Sequence, residues 1–187
     1  MSKATDTIEI QNVVASTGIE QELDLETLTQ DITGAEFDPD NFPGLVYRTQ
    51  DPKAAALIFR SGKIVCTGAS SVEQVHTALD MVFDELRDLG IPFDDSPEIT
   101  VQNIVSSADL GESLNLNALA IGLGLEDVEY EPEQFPGLVY RMDEPEIVVL
   151  VFGSGKIVIT GGKEPTDASL AVENIIEDID ELGLLSR

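Results

Sequence analysis

Two stretches of this 187-residue chain carry the same side-chain chemistry in the same order. Phe42-Pro43-Gly44-Leu45-Val46-Tyr47-Arg48 recurs unchanged as Phe135-Pro136-Gly137-Leu138-Val139-Tyr140-Arg141. At the same spacing, Ser61-Gly62-Lys63-Ile64-Val65-Cys66-Thr67-Gly68 recurs as Ser154-Gly155-Lys156-Ile157-Val158-Ile159-Thr160-Gly161. Gln11-Asn12-Val13-Val14 is matched upstream by Gln102-Asn103-Ile104-Val105. Aromatic rings, amides, hydroxyls and cations are groups that bind; none of them pairs a nucleophile with a base. Gly153-Ser154-Gly155-Lys156 has the look of a phosphate loop, but Ile157 stands where Ser or Thr is needed and the upstream glycine spacing is wrong. One cysteine, Cys66, excludes an internal disulfide and, with the single His76, most Cys/His zinc sites. Cys66 reads as a small buried hydrophobe and His76 as a surface or boundary residue. No catalytic constellation and no cofactor motif emerges, so the chain reads as a non-enzyme.

Charge separates the same segments from the rest. The chain has 36 acids, 10 bases and a formal charge of −26. Yet windows 41–50, 52–72, 134–142 and 147–163 contain no acid and hold seven of the ten bases: Arg48, Lys53, Arg60, Lys63, Arg141, Lys156 and Lys163. Taken whole, −26 argues against binding phosphate, which needs Lys and Arg. Its distribution argues the reverse. The first residues, Met1 to Asp6, lack the apolar run of a secretory signal, and no stretch approaches a membrane span.

Elements must now position these groups. The repeats run over about 8–90 and 99–184, with a linker at 91–98, and two long copies point to a pseudo-twofold molecule. Each copy opens on a β-rich segment (Ile8 to Ala15; Ile99 to Ser106) and a short helix (Asp24 to Ile32; Asn115 to Ile121). Three extended runs follow, the Ser-Gly turn after Phe59 being short enough for an antiparallel hairpin. A long amphipathic helix closes each copy. In the first, Ser70 and Glu73 form a capping-box pattern ahead of a stripe of Val72, Val75, Leu79, Val82, Phe83, Leu86 and Leu89. In the second the stripe is Leu170, Val172, Ile175, Ile176, Ile179 and Leu182.

Strands 54–60 and 147–152 are apolar at consecutive positions. That pattern usually means a sheet covered on both faces. Four helices are few for such a task, and the other reading is a sheet face left apolar, ringed by Arg and Lys, as a binding surface.

With these residues in view, the sequence resembles the TATA-box-binding protein family in its archaeal, halophile-type, two-repeat form, from about Ile8 to Leu182. The resemblance implies an α+β fold: two pseudo-symmetric repeats forming a saddle-shaped ten-stranded antiparallel sheet, with four helices on the convex face. It implies a general initiation factor that binds the TATA box of double-stranded DNA in the minor groove, bends it, and recruits transcription factor B and, indirectly, RNA polymerase. The family's wedge residues fall on Phe42, Phe59, Phe135 and Phe152. Its base-contacting amides fall on Asn12 and Asn103, its hydroxyls on Thr67 and Thr160. Val14, Val105, Val65, Val158, Leu57 and Leu150 match the apolar groove contacts, and Arg48, Arg141, Lys63, Lys156, Ser61 and Ser154 the phosphate contacts. Glu131 and Glu133 match acids that bind transcription factor B; in so acidic a chain they read equally as solvated surface. The second helix carries Asp80, Asp84, Glu85 and Asp88 where eukaryotic members are basic, so basic-helix contacts are not expected.

The chemistry agrees with the resemblance. An A·T minor groove displays only acceptors, which suits amide donors and smooth apolar surface, and flexible TA steps yield to aromatic wedges. Strand period two puts Asn12 with Val14, Leu57 with Phe59, and Val65 with Thr67 on common faces. A cytoplasmic, nucleoid-associated protein is implied, and a homodimer of the free protein through its apolar face is left open. The alternative is a module binding protein or an apolar ligand on that face.

Overall fold

The computed structural model describes residues 4–124, 126–143 and 146–185; Met1–Lys3, at the head of the N-terminal run discussed above, lie outside them. Two compact units divide the chain, residues 12–102 and residues 103–187 with 1–11.

In the unit 12–102 the strands are β1 (Glu9–Gly18, which begins in the other unit), β2 (Leu45–Gln50), β3 (Lys53–Ile58) and β4 (Lys63–Ala69). They lie in the order β2-β3-β4-β1, with antiparallel pairings throughout. Helix α1 (Leu25–Asp31) follows β1, and α2 (Val72–Asp88) follows β4. The cap of α2 is not Ser70 but Ser71, whose Oγ accepts from Gln74 N at 3.1 Å, while Gln74 Oε1 accepts from Ser70 N. Only this frame lets Gln74, rather than the exposed Glu73, reach back to the chain ahead of the helix. Burial of Val75, Ala78, Leu79, Val82, Phe83 and Leu86 forms the stripe that packs on β3 and β4, and Leu89 falls just beyond it.

The second unit repeats the plan with β5 (Thr100–Asp109), α3 (Leu116–Leu123), β6 (Val128–Glu129), β7 (Leu138–Met142), β8 (Ile147–Val151), β9 (Lys156–Gly162) and α4 (Pro165–Glu181). Its order is β5-β9-β8-β7-β6. On α4 the buried stripe is Ala168, Ala171, Val172, Ile175, Ile176 and Ile179. Leu170 is 46% exposed and Leu182 38%, so neither belongs to it: once Ala168 and Ala171 set the facing side, Leu170 rotates off it.

The described residues form nine strands, one fewer than expected. In the second repeat β6 pairs with β7 over two residues; in the first the equivalent contact shrinks to the single bridge Glu36–Val46. All four helices are present, and no helix among the described residues is long and apolar enough to cross a membrane.

Burial alternates along β1, β3, β5 and β8, and along β4 and β9 up to their bulges. Leu45, Ala54, Ala56, Ile58, Ile64 and Cys66 are buried in the first unit, as are Leu138, Ile147, Val149, Val151, Ile157 and Ile159 in the second. Their neighbours in sequence, Val46, Leu57, Val65, Val139, Leu150 and Val158, are only half-buried. Apolar runs on consecutive positions therefore serve one helix-covered face and one open face, and the doubly covered sheet is excluded.

Candidate nucleic-acid interface

Cross-strand register lines up the open face. In the first unit Val46 faces Leu57, Leu57 faces Val65, and Val65 faces Ser16, a row running over four strands. Val139, Leu150, Val158 and Ser107 form the same row in the second. Val14 and Val105 are half-buried on the adjoining β1 and β5. Apart from the two serines, these are smooth, β-branched or aliphatic side chains, with no charge among them.

Asn12 is held by the backbone beside it. Its Oδ1 accepts from Gly68 N at 2.6 Å, and its Nδ2 donates to Thr67 Oγ1 at 3.1 Å. Asn103 repeats this with Gly161 N at 2.6 Å and Thr160 Oγ1 at 3.1 Å. Because a backbone N–H can only donate, the amide oxygen must face it, which fixes the amide orientation and leaves the second Nδ2 hydrogen for an acceptor outside. The donor is aimed by a bulge: register shifts between Val13 and Ala15, and again between Ile104 and Ser106, where Gly68 and Gly161 take φ of +92° and +99°. A side chain there would strain the backbone that orients the amide.

The four phenylalanines form two pairs. Phe42 and Phe59 lie 5.8 Å apart at 60°, Phe135 and Phe152 5.8 Å apart at 64°. Phe42 follows a turn in which its N–H donates to Asp38 O, and Phe59 opens the hairpin, donating to Lys63 O. Phe135 is 38% exposed and its partner half-buried, an unusual position for aromatic pairs with a core available. Gly44 and Gly137 form the floor beneath them. A Cβ on Gly44 would come within 2.8 Å of Phe42 and 3.0 Å of Phe59; on Gly137, within 2.7 Å of Phe135 and 3.0 Å of Phe152.

Cations edge the face. Lys63 and Lys156 are exposed, and their backbone N–H groups donate to Ser61 Oγ and Ser154 Oγ at 3.4 Å. Arg48 pairs with Glu36 at 3.1 Å and Arg141 with Glu129 at 2.8 Å. All four of those side chains are more than half exposed, so each pair contributes about 0–1 kcal/mol and either arginine can exchange its carboxylate for another anion. Glu131 and Glu133 are exposed in the turn before Phe135, where Glu131 O accepts from Gln134 N and Phe135 N.

Behind the sheet, Tyr140 donates to Asp178 Oδ2 on α4 at 2.8 Å; burial and that bond push its pKa up to about 12. Burial alone pushes the Cys66 thiol up to about 11. His76 is exposed.

Within each unit the structure pairs Asn12 with Thr67 and Asn103 with Thr160, aligns the apolar rows across the strands and pairs the phenylalanines, while Ser61, Lys63, Ser154 and Lys156 sit at the hairpin turns. Sequence reasoning missed Gly44 and Gly137, the carboxylates Glu36 and Glu129, and two hydroxyls on the face. Ser16 Oγ accepts from Gln102 Nε2 at 2.8 Å and Ser107 Oγ from Gln11 Nε2 at 2.9 Å. Identity of each pair between the two copies was the available signal.

An internal duplicate whose repeats each cover one sheet face with helices and leave the other apolar, donor-bearing and edged by cations belongs to the class of sheet-face binding proteins. Residues 7–89 and 98–182 match the family model described as transcription factor TFIID, or TATA-binding protein. The chain belongs to that family. It is 78% identical to TATA-box-binding protein 2 of Haloferax volcanii over 185 residues, 99% of this chain and 100% of the relative. It is 69% identical to TATA-box-binding protein E of Halobacterium salinarum, with the same coverage. Its fold matches the solved structure of Methanococcus jannaschii TBP with a TM-score of 0.82 at 52% identity, over 94% of this chain and 99% of that one.

Proposed function

We propose that this protein is a general initiation factor that binds an A·T-rich TATA element in the minor groove through its open sheet faces and bends it. The observation that carries the reading is the amide geometry: on a mainly apolar surface, Asn12 and Asn103 each keep one directed donor, matched to a groove that offers only acceptors. Thr67 and Thr160 stand beside them, and Val14, Val105, Val65, Val158, Leu57 and Leu150 lie against the groove floor. Phe42 with Phe59, and Phe135 with Phe152, insert between base steps, at a cost of a few kcal/mol per step that flexible TA steps reduce. Arg48, Arg141, Lys63, Lys156, Ser61 and Ser154 hold the phosphates, which position the protein without reading sequence. Glu131 and Glu133 take a basic surface of transcription factor B, and polymerase follows through that factor. The relatives' names and the family match support this reading.

Gel retardation of a TATA duplex across a KCl series tests it, with bending read by energy transfer between labelled duplex ends. A bound, bent complex is expected at high KCl. No retardation at any salt would overturn it in favour of a face for protein or apolar ligands.

A further inference from the structure

The two open faces are almost the same surface. Asn12, Val14, Ser16, Val46, Leu57, Phe59, Val65 and Thr67 have identical counterparts in Asn103, Val105, Ser107, Val139, Leu150, Phe152, Val158 and Thr160. Six positions on β3 and the following turn differ; Ala54, Ala56 and Ile58 against Ile147, Val149 and Val151 are buried core, which leaves Lys53 against Glu146, Arg60 against Gly153, and Ala55 against Val148. The first two lie at the ends of the strand, off the apolar floor: Lys53, Arg60 and Glu146 are exposed and Gly153 is half-buried. The third lies on the apolar floor. Ala55 stands in register with Thr67, and Val148 with Thr160, the hydroxyls that accept from the Asn12 and Asn103 amides.

The clefts at the two positions share most of their lining and differ at the threonine. Beside Ala55 a cleft of about 210 Å³ reaches Thr67 and Gly68. On the second repeat the matching cleft, about 540 Å³, is lined by Val148 and Gly161 and runs outward to Lys163 and Asp167, but Thr160 does not line it. Of these two clefts, only the one in the first repeat is lined by the threonine that pairs with the amide. In the minor groove a G·C pair differs from A·T by one protruding donor, the guanine N2 amino group. It needs a gap in the apolar floor and an acceptor, and Thr67 Oγ1 beside Ala55 supplies both.

We propose that Ala55 and Val148 are the specificity-determining pair that gives the interface a direction: the Ala55 half tolerates a guanine amino group that the Val148 half rejects. This rests on the minor-groove reading above. A near-symmetric TATA element with one G·C pair is then bound with that pair under the first repeat.

The test uses a self-complementary A·T duplex, which has no direction of its own. One pair of one half is replaced in turn by G·C, or by inosine·C, which keeps the pairing but lacks the amino group. Direction is read by strand cleavage from an iron chelate on Thr166→Cys, an exposed site; Cys66, fully buried, does not compete for the label. At one position the G·C duplex should be bound in the predicted direction about tenfold over the reverse, the size of a single-pair penalty, and the inosine duplex without preference. Ala55→Val should abolish the preference, and Ala55→Val with Val148→Ala should reverse it. Thermal unfolding checks each variant; should Ala55→Val not fold, Val148→Ala alone must weaken the preference by making both halves tolerant. No preference at any position, a preference that survives these changes, or inosine behaving as guanine would overturn the proposal. Failure of the unaltered protein to bind the all-A·T duplex would instead overturn the minor-groove reading beneath it.

Discussion

An aromatic ring on a half-exposed sheet face contributes less to stability than one in the core, which separates binding from folding at Phe42 and Phe152. Phe42→Ala or Phe152→Ala should reduce DNA bending, measured by energy transfer, while thermal unfolding shifts little. Equal losses in both would mean that the rings act as core. Gly137→Val should disturb the same step from below, because even a Cβ at Gly137 comes within 2.7 Å of Phe135 and the branched methyls cannot clear both rings. A bending loss without a matching loss of thermal stability is expected there too. Identity of the copies made Phe42, Asn12 and Thr67 legible in the sequence. It could not say that Gly68 N–H orients the Asn12 amide, since that contact spans 56 residues and depends on a bulge.

At the scale of elements, the helices supply the stability that the open face forgoes. Leu79 on α2 is fully buried. Leu79→Ala should cost about 2–5 kcal/mol, read from denaturant unfolding, with the spread set by how far the site collapses. On the other long helix, the bond from Tyr140 to Asp178 ties β7 to α4. With its folded pKa raised from 10 to about 12, the stability it contributes is complete below pH 10 and lost as pH rises through 12, because the unfolded chain releases that proton first. Tyr140→Phe should flatten the fall in melting temperature over that range. Helix types and spacing were legible from periodicity. Their frames were not: Ser71 rather than Ser70 caps α2, and Leu170 leaves the α4 stripe, because neighbouring candidates differ only in which side of the helix meets the sheet.

For the whole molecule the net charge of −26 describes its relation to solvent. Outside the acid-free windows the charge is −33, and inside them +7. At about 1 M salt the Debye length is roughly 3 Å, so the acidic surface no longer repels DNA across the solvent, while cations in contact with phosphate still act. The same screening loosens the exposed Arg48–Glu36 and Arg141–Glu129 pairs. DNA affinity is therefore expected to rise with KCl over part of the range, opposite to ordinary counterion release. A steady fall from low salt upward, in the same retardation series, would contradict this.

The sequence by itself determined the duplication, the α+β class, the residues of the face and the separation of charge, because each is written in residue identity and spacing. Tertiary structure decided which face of the apolar strands is open. Strands 54–58 and 147–151 are apolar at every position, so no alternation marks an inside; only packing of α2 and α4 against one side makes Ile58 and Val151 core and leaves Leu57 and Leu150 half-exposed. It also decided the strand count, since a single bridge at Glu36 depends on how closely a loop approaches β2, which residue type does not encode.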